Sequence, residues 1–126
     1  MFVYCFAEIC LSFFAPSFLS FINMESERTK FIANITSLLH KHSFTIKSAH
    51  WDGIGDVGDD YCIEAESATS RNIEICLRFL YYRYTHEPFD EIFIFAGDDT
   101  LLDMRWESKD KAEDILGLIE TALKNF

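Results

Sequence analysis

The sequence predicts an α+β fold in which a five-stranded, mostly antiparallel meander carries an N-terminal and a C-terminal helix on one face. Three observations favour this fold. Several stretches in the middle of the chain alternate apolar and polar residues, as half-buried strands do. Stretches on either side of them repeat apolar residues at helical spacing. Short runs rich in glycine, serine, aspartate or proline separate these stretches and mark turns.

The first helix is predicted over residues 25–42, with Ser26 as its N-cap. Its apolar residues recur at the spacing of one helix face: Phe31, Ile35, Leu38 and Leu39. The first strand is predicted over residues 43–51 because its apolar and polar residues alternate. One face of that strand is expected to carry Phe44, Ile46 and Ser48.

The second strand, residues 61–66, follows a glycine-rich loop and is expected to place Tyr61, Ile63 and Ala65 on one face. Ser67–Ser70 is predicted to be a turn. The third strand, residues 72–79, has the clearest alternation in the chain. Its inward residues are predicted to be Ile73, Ile75, Leu77 and Phe79, and its outward ones Asn72, Glu74, Cys76 and Arg78. A helix over residues 72–85 also fits the apolar spacing and is the alternative.

The fourth strand, residues 91–96, consists largely of β-favouring apolar residues and is predicted to be buried on both faces. A turn at Gly97–Asp99 leads into a fifth strand with Thr100, Leu102, Met104 and Trp106 on one face. Ser108 is expected to cap the last helix. The apolar stripe of that helix comprises Ala112, Ile115, Leu116, Ile119, Leu123 and Phe126.

Residues 1–23 differ in composition from the single α+β domain predicted over residues 24–126. They contain six phenylalanines, no basic residue and one acid. We expect them to be a misassigned or disordered leader upstream of Met24, a membrane anchor formed by residues 2–22, or an additional packed element. The predicted location is cytoplasmic, with membrane anchoring through residues 2–22 as the alternative.

The charge of the chain limits its partners. There are 21 acidic and 11 basic residues, which gives a formal net charge of −10, and the isoelectric point is near 4.7. A chain this acidic is repelled by the phosphates of nucleic acids and anionic lipids, and it attracts cationic surfaces. We therefore predict no nucleic-acid partner and favour a basic protein partner, with membrane contact only if residues 2–22 insert.

The spacing Gly53-x-Gly55-x-x-Gly58 matches the glycine fingerprint of dinucleotide-binding proteins. That fingerprint requires a helix after the loop, whose free N–H groups hold the pyrophosphate. Here a predicted strand follows, and nearby acids would repel an anionic ligand: Asp52, Asp56, Asp59 and Asp60. We predict a hairpin loop and no cofactor.

The stretch WDGIGDVG, Trp51–Gly58, resembles an aromatic-Asp-Gly-x-Gly-Asp-x-Gly signature at the head of a strand in small uncharacterised bacterial and phage domains. In this chain Val57 replaces the usual serine, and Asp59 and Asp60 precede the next strand. The resemblance covers this short stretch only. It implies a structural loop or a binding surface, and no catalytic activity.

Motifs that carry chemistry are scarce. The acidic loop does not fit the ligand positions of an EF-hand, although an irregular divalent-cation site built from Asp52, Asp56, Asp59 and Asp60 is an alternative. The four cysteines show no CxxC spacing and are expected to be reduced thiols. The proposed strand register could place Cys62 opposite Cys76, which makes a bridge between them conceivable. No catalytic residue and no metal ligand is predicted.

Two stretches of the chain, residues 51–66 and 87–103, each contain six acidic residues and no arginine or lysine. If their loops emerge at one end of the sheet, they build a single negative patch. The residues predicted to bind a partner are Asp52, Asp56, Asp59, Asp60, Glu64, Asp98 and Asp99. We predict a non-enzymatic binding or inhibitor protein that docks a basic protein, as immunity proteins or phage inhibitors do. The alternative is a divalent-cation-binding domain or a small metal-dependent enzyme that uses the same loop.

Overall fold

A computed structural model describes residues 16–81 and 87–126, with side-chain environments from residue 27 onward. The elements are α1 (Pro16–Lys41), β1 (Thr45–Gly53), β2 (Gly58–Glu66), β3 (Asn72–Leu80), β4 (Glu91–Ala96), β5 (Asp99–Arg105) and α2 (Ala112–Lys124). The strands form one sheet in the order β1-β2-β3-β4-β5, and every neighbouring pair is antiparallel. The predicted α+β meander with two helices is confirmed.

Both helices contribute to one apolar core on one face of the sheet, which we call the covered face. From α1 and α2 this core takes Phe31, Ile35, Leu39, Ile115, Ile119 and Leu123. From the middle of the sheet it takes Ile63, Ala65, Ile73, Ile75, Leu77, Phe79, Ile92 and Ile94. Strand residues alternate between faces, so the intervening residues, such as Cys62, Glu64, Glu74, Arg78 and Phe93, form the second face.

The third strand confirms the alternation predicted for it. Ile73, Ile75, Leu77 and Phe79 are all buried in the core, and the alternative helix over residues 72–85 is wrong for its described part, since Asn72–Leu80 is a strand. Cys76 lies on the outward side of the strand, as predicted, but its side chain is only 7% exposed. It lies on the second face between Cys62 and Phe93, its register partners on β2 and β4, and they cover it.

The fourth strand is buried on one face only, so the prediction of burial on both faces is wrong. Ile92 and Ile94 are completely buried, whereas Phe93 and Phe95 are half-buried. The physical reason is that both described helices pack on the covered face. The two phenylalanines instead stack on each other on the second face, with ring centroids 6.0 Å apart.

Two β-bulges shift side chains from the faces that simple alternation predicts. In β1, Ile46 pairs with Ala65 and Ser48 with Glu64, so Lys47 is the extra residue and Ser48 lies on the second face. The prediction that Ser48 shares a face with Ile46 is therefore wrong.

The second bulge lies in β5. Leu102 pairs with Ile94 and Thr100 with Phe95, which makes Leu101 the extra residue. Thr100 is thereby moved away from the face of Leu102, contrary to prediction. Each bulge lies in an edge strand, where an irregular backbone discourages pairing with another chain.

Both predicted helix caps are wrong. Ser26 lies within α1, which includes Pro16–Lys41. The last helix begins later than Ser108: its N-cap is Lys111, without a side-chain hydrogen bond. The carboxylate of Asp110 accepts a hydrogen bond from the Glu107 amide at 2.7 Å, and the turn that this forms delays the helix.

The predicted boundary between residues 1–23 and 24–126 falls inside α1. Residues 1–15, most of the predicted leader and of the alternative anchor over 2–22, lie outside the described residues. In the part of the chain that is described, none of the helices combines the length and the apolar character needed to cross a bilayer. The division into a leader and a domain stays a prediction.

Charged contacts hold the two helices together at one end. Glu120 of α2 accepts from Lys41 at 2.9 Å and from His42 at 2.8 Å. The hydrogen bond from Lys41, followed by that from His42, lowers the pKa of Glu120 from 4.5 to about 2. The carboxylate is thus favoured in the folded protein, and its contribution to stability is present above the unfolded pKa.

Replacing this carboxylate should make the protein less stable at neutral pH and change its acid denaturation. We expect Glu120→Gln to lower the melting temperature at pH 7. The difference from the wild type should shrink as pH falls from about 4.5 to about 2, because the wild-type carboxylate takes up a proton in that range. Melting curves across this pH range measure the effect.

The matched control is Glu113→Gln, an exposed glutamate in the first turn of the same helix. We expect this variant to follow the wild type closely through the acid range. A Glu120→Gln variant whose deficit persists unchanged down to pH 2 would contradict the assignment.

Candidate functional site

The glycine loop is a hairpin between two strands. β1 ends at Gly53 and β2 begins at Gly58, and the Ile54 amide donates to the Gly58 carbonyl at 3.0 Å. The predicted strand after the third glycine is therefore confirmed. Gly55 has a φ of +71°, in the left-handed region that favours glycine.

Gly58 is required for a different reason. A Cβ atom at this position would lie 2.2 Å from the carbonyl oxygen of Phe79 on β3, closer than any real contact. Gly53 has no such neighbour, since its nearest atom would be Asp59 Oδ1 at 3.9 Å. Gly55 thus allows the positive φ of the hairpin loop, and Gly58 allows β2 to approach β3 closely.

Alanine at these glycines tests this account. We expect Gly58→Ala to lower the free energy of unfolding by about 1–3 kcal/mol, because the methyl group must displace the β3 backbone. Gly53→Ala should be neutral or slightly stabilising, because the added methyl finds space and restricts the unfolded chain. Urea denaturation of the two variants measures the difference, and equal losses in both would contradict it.

Four of the predicted site residues gather around this hairpin. Asp52 and Asp60 are cross-strand partners on the second face, Asp59 pairs with Gly53, and Asp56 lies in the loop between the strands. Asp52 and Asp56 are exposed, and Asp59 and Asp60 are half-buried. Carboxylates directly opposite each other repel, so each of the pair on the second face needs a cationic neighbour.

Each of the two carboxylates has a basic side chain beside it. Asp52 contacts His50 Nε2 at 3.0 Å. Asp60 accepts two hydrogen bonds from Arg78, at 2.9 Å from Nε and 3.1 Å from an Nη atom. This paired hydrogen bond raises the pKa of Arg78 further, and its guanidinium also lies 5.1 Å from the centre of the Phe93 ring. The nearest arginine is therefore occupied by internal contacts.

Substitution of Arg78 should show how much the pair with Asp60 contributes. Lysine keeps the charge but cannot form the two parallel hydrogen bonds or place a planar guanidinium over the Phe93 ring. We expect Arg78→Lys to lower the free energy of unfolding by about 1 kcal/mol in urea titrations. Arg105→Lys is the control, since the Arg105 side chain is 65% exposed and makes one contact, to Glu91. It should change stability little, and a loss as large as that of Arg78→Lys would contradict the prediction.

Asp98 and Asp99 do not join this group. In an antiparallel meander the β1–β2 and β3–β4 connections lie at one end of the sheet, and the β2–β3 and β4–β5 connections at the other. The turn with Asp98 connects β4 to β5, so it lies at the end opposite the glycine loop. The expectation of one negative patch built from both loops is wrong.

Glu64 lies between these two ends, on the second face. It is exposed, pairs with Ser48 and Glu74, and accepts a hydrogen bond from the Ser48 hydroxyl at 3.1 Å. The structure therefore brings together the four aspartates of the glycine loop. Glu64 is farther along the same strand, and the two residues of the β4–β5 turn are separate.

Sequence analysis missed an apolar component beside the four aspartates. The exposed large apolar side chains here are Trp51 at 55%, Val57 at 51% and Tyr81 at 42%. The Trp51 ring contacts Tyr61 and Phe79, with centroids 4.9 and 5.5 Å apart, so it is anchored without being buried. The available signal was its position beside the loop, at the end of the first strand. We call Trp51, Asp52, Asp56, Val57, Asp59 and Asp60 the hairpin end.

The remaining chemistry-bearing groups on the second face are two thiols. Cys62 and Cys76 are register partners, both buried and unbonded, with their sulfur atoms 2.9 Å apart. Burial raises the pKa of both thiols, that of Cys76 far above its usual range. Because the thiolate is the reactive form, neither cysteine has the properties of a catalytic nucleophile.

Metal binding by the aspartates of the glycine loop finds no support within residues 16–81 and 87–126. This part of the chain contains no group of three or more histidine, cysteine, aspartate or glutamate side chains arranged to hold a metal ion. Asp52 and Asp60 already have protein partners on the second face.

Comparisons with protein-family models, with curated proteins and with solved structures found no match to this chain. The resemblance of Trp51–Gly58 to small bacterial and phage domains stays a prediction.

Proposed function

We propose that the protein is a non-enzymatic binding protein that docks a basic protein partner through the hairpin end, in the manner of an immunity protein or a phage-encoded inhibitor. The observation that carries this proposal is the exposure of an anchored Trp51 and of the carboxylates of Asp52 and Asp56 at one end of the sheet. Trp51 lies at the edge of the covered face and Asp52 on the second face, so a partner would have to embrace the tip of the hairpin from both sides. An aromatic anchor supplies affinity, and the charges around it select and steer the partner.

The electrostatic support lies in the balance of charges around the hairpin. Arg78 and His50 are bound to Asp60 and Asp52, and Arg28 of α1 lies 4.7 Å from the centre of the Phe79 ring on the covered face. Asp56 and Asp59 add two more carboxylates at the same end. With a net charge of −10 over the whole chain, a cationic partner is attracted at long range and oriented toward this end.

The apolar support lies in the rigidity of the exposed ring. Trp51 rests on Tyr61 and Phe79, so little side-chain entropy remains to be lost when a partner covers it. Val57 in the loop, which is itself about half exposed, extends this apolar surface. Aromatic side chains in such positions dominate the energetics of many protein interfaces.

This proposal differs from the sequence-based one in its extent. The partner-binding residues become Asp52, Asp56, Asp59 and Asp60 with Trp51. Asp98 and Asp99 lie at the other end of the sheet, and Glu64 lies along the second face between the two ends. Those three are expected to contribute only to the general negative field.

The topology supplies a charge-matched test. Asp52→Asn/Asp56→Asn and Asp98→Asn/Asp99→Asn each remove two exposed carboxylates, from opposite ends of the sheet. Association with an immobilised arginine- and lysine-rich peptide is measured by biolayer interferometry at low and physiological salt. We expect the first variant to associate about tenfold more slowly than the wild type at low salt, and the second to be affected much less.

Trp51→Ala separates the apolar contribution from the charges. We expect it to leave the association rate nearly unchanged and to accelerate dissociation, since short-range contacts act mainly on the off-rate. Equal slowing by the two double variants would contradict docking at the hairpin end. Absence of any association by the wild type at low salt would contradict a basic partner.

A further inference from the structure

Cys62 and Cys76 lie at the centre of the second face. They are directly opposite each other on the neighbouring strands β2 and β3. Phe93 of β4 is the next register partner beyond Cys76, and His50 of β1 is the next beyond Cys62. Each cysteine is only 7% exposed, and the two thiols are in direct contact.

The geometry of the pair fits a covalent bond with little movement. Directly opposed residues in antiparallel strands have Cα atoms about 4.5–5.5 Å apart, inside the range of about 4.4–6.8 Å that disulfides require. The two sulfur atoms are 2.9 Å apart, against an S–S bond length of about 2.05 Å. Closing the bond requires the sulfur atoms to approach by less than one ångström, without a change in strand register.

We propose that Cys62 and Cys76 form a reversible intramolecular disulfide when the protein meets a low-molecular-weight disulfide such as oxidised glutathione. One protein thiol, as its thiolate, attacks a glutathione sulfur, which breaks that S–S bond and releases one reduced glutathione. The second protein thiol then displaces the second glutathione. The two cysteines lose two hydrogens in total, and the oxidant leaves as two molecules of reduced glutathione.

The surroundings of the pair determine how it reacts. Burial raises the pKa of both thiols, and nearby carboxylates, Glu74 above all, act in the same direction. A small thiolate fraction makes the exchange slow. The mixed disulfide should nevertheless not accumulate, because the second sulfur is held within contact distance of the first. Formation of this disulfide involves these two residues alone and does not depend on the proposed partner.

The test uses the full chain with Cys5→Ser and Cys10→Ser, so that Cys62 and Cys76 are its only thiols. The protein is equilibrated, from both the oxidised and the reduced side, in glutathione buffers of increasing oxidised fraction. Free thiols are then alkylated and counted by intact mass. We expect a direct change from two alkylated thiols to none, a peptide map that joins the two cysteines, and full reversal by dithiothreitol.

A stability measurement gives a second readout. The bond closes a loop between β2 and β3, which restricts the unfolded chain, so the oxidised protein should unfold at a higher urea concentration than the reduced one. Cys76→Ser is the control and should give only a mixed disulfide with glutathione at Cys62. If circular dichroism shows that this variant is unfolded, Cys76→Ala takes its place.

Three outcomes would overturn the proposal. The first is a stable adduct with two glutathiones, which would mean that the thiols react separately. The second is a disulfide-linked dimer of the chain. The third is a protein that retains both thiols at equilibrium in oxidised glutathione alone.

Discussion

One-sided burial of the sheet is the constraint on which the rest of the structure depends. Both helices pack their apolar stripes onto the same face, and Ile75, Leu77, Ile92, Ile94 and Ile119 have no exposed surface at all. Hydrophobic burial of this kind is the main favourable term in folding, and here it is concentrated in one layer. The second face is thereby free to carry charged pairs, two thiols and the stacked Phe93 and Phe95.

The meander topology then decides which loops are neighbours. Because consecutive strands are antiparallel and adjacent, alternate connections emerge at the same end of the sheet. This rule separates the glycine loop from the turn at Gly97, although both are rich in aspartate. Composition alone suggested one acidic surface, whereas connectivity gives two. The hairpin end combines negative charge with the exposed aromatic ring of Trp51.

The sequence allowed prediction wherever alternation was uninterrupted, as in β3, where the four inward residues are all buried. It failed where one extra residue changes the face of those that follow. Lys47 and Leu101 occupy the two bulges, and neither residue type marks a bulge as glycine can. It also failed for the helix cap at Ser108, because the Asp110 carboxylate that delays the helix makes a contact outside the local pattern. The outward side of Cys76 was predicted correctly, but its burial depends on its register partners in the neighbouring strands.

A buried carboxylate connects several parts of the sheet at the end that carries the candidate site. Asp90 is 2% exposed and accepts a hydrogen bond from the Leu80 amide at 2.6 Å. Its own amide donates to the Arg78 carbonyl, and its carbonyl accepts from the Trp106 amide. One residue thus connects β3, the start of β4 and the residue after β5. Arg78 belongs to this network through its backbone carbonyl, and its side chain binds Asp60. The hairpin end is thereby connected, through Asp60, to a hydrogen-bonded part of the sheet. For the proposed binding surface, such a support would favour affinity by limiting the conformational entropy lost on docking.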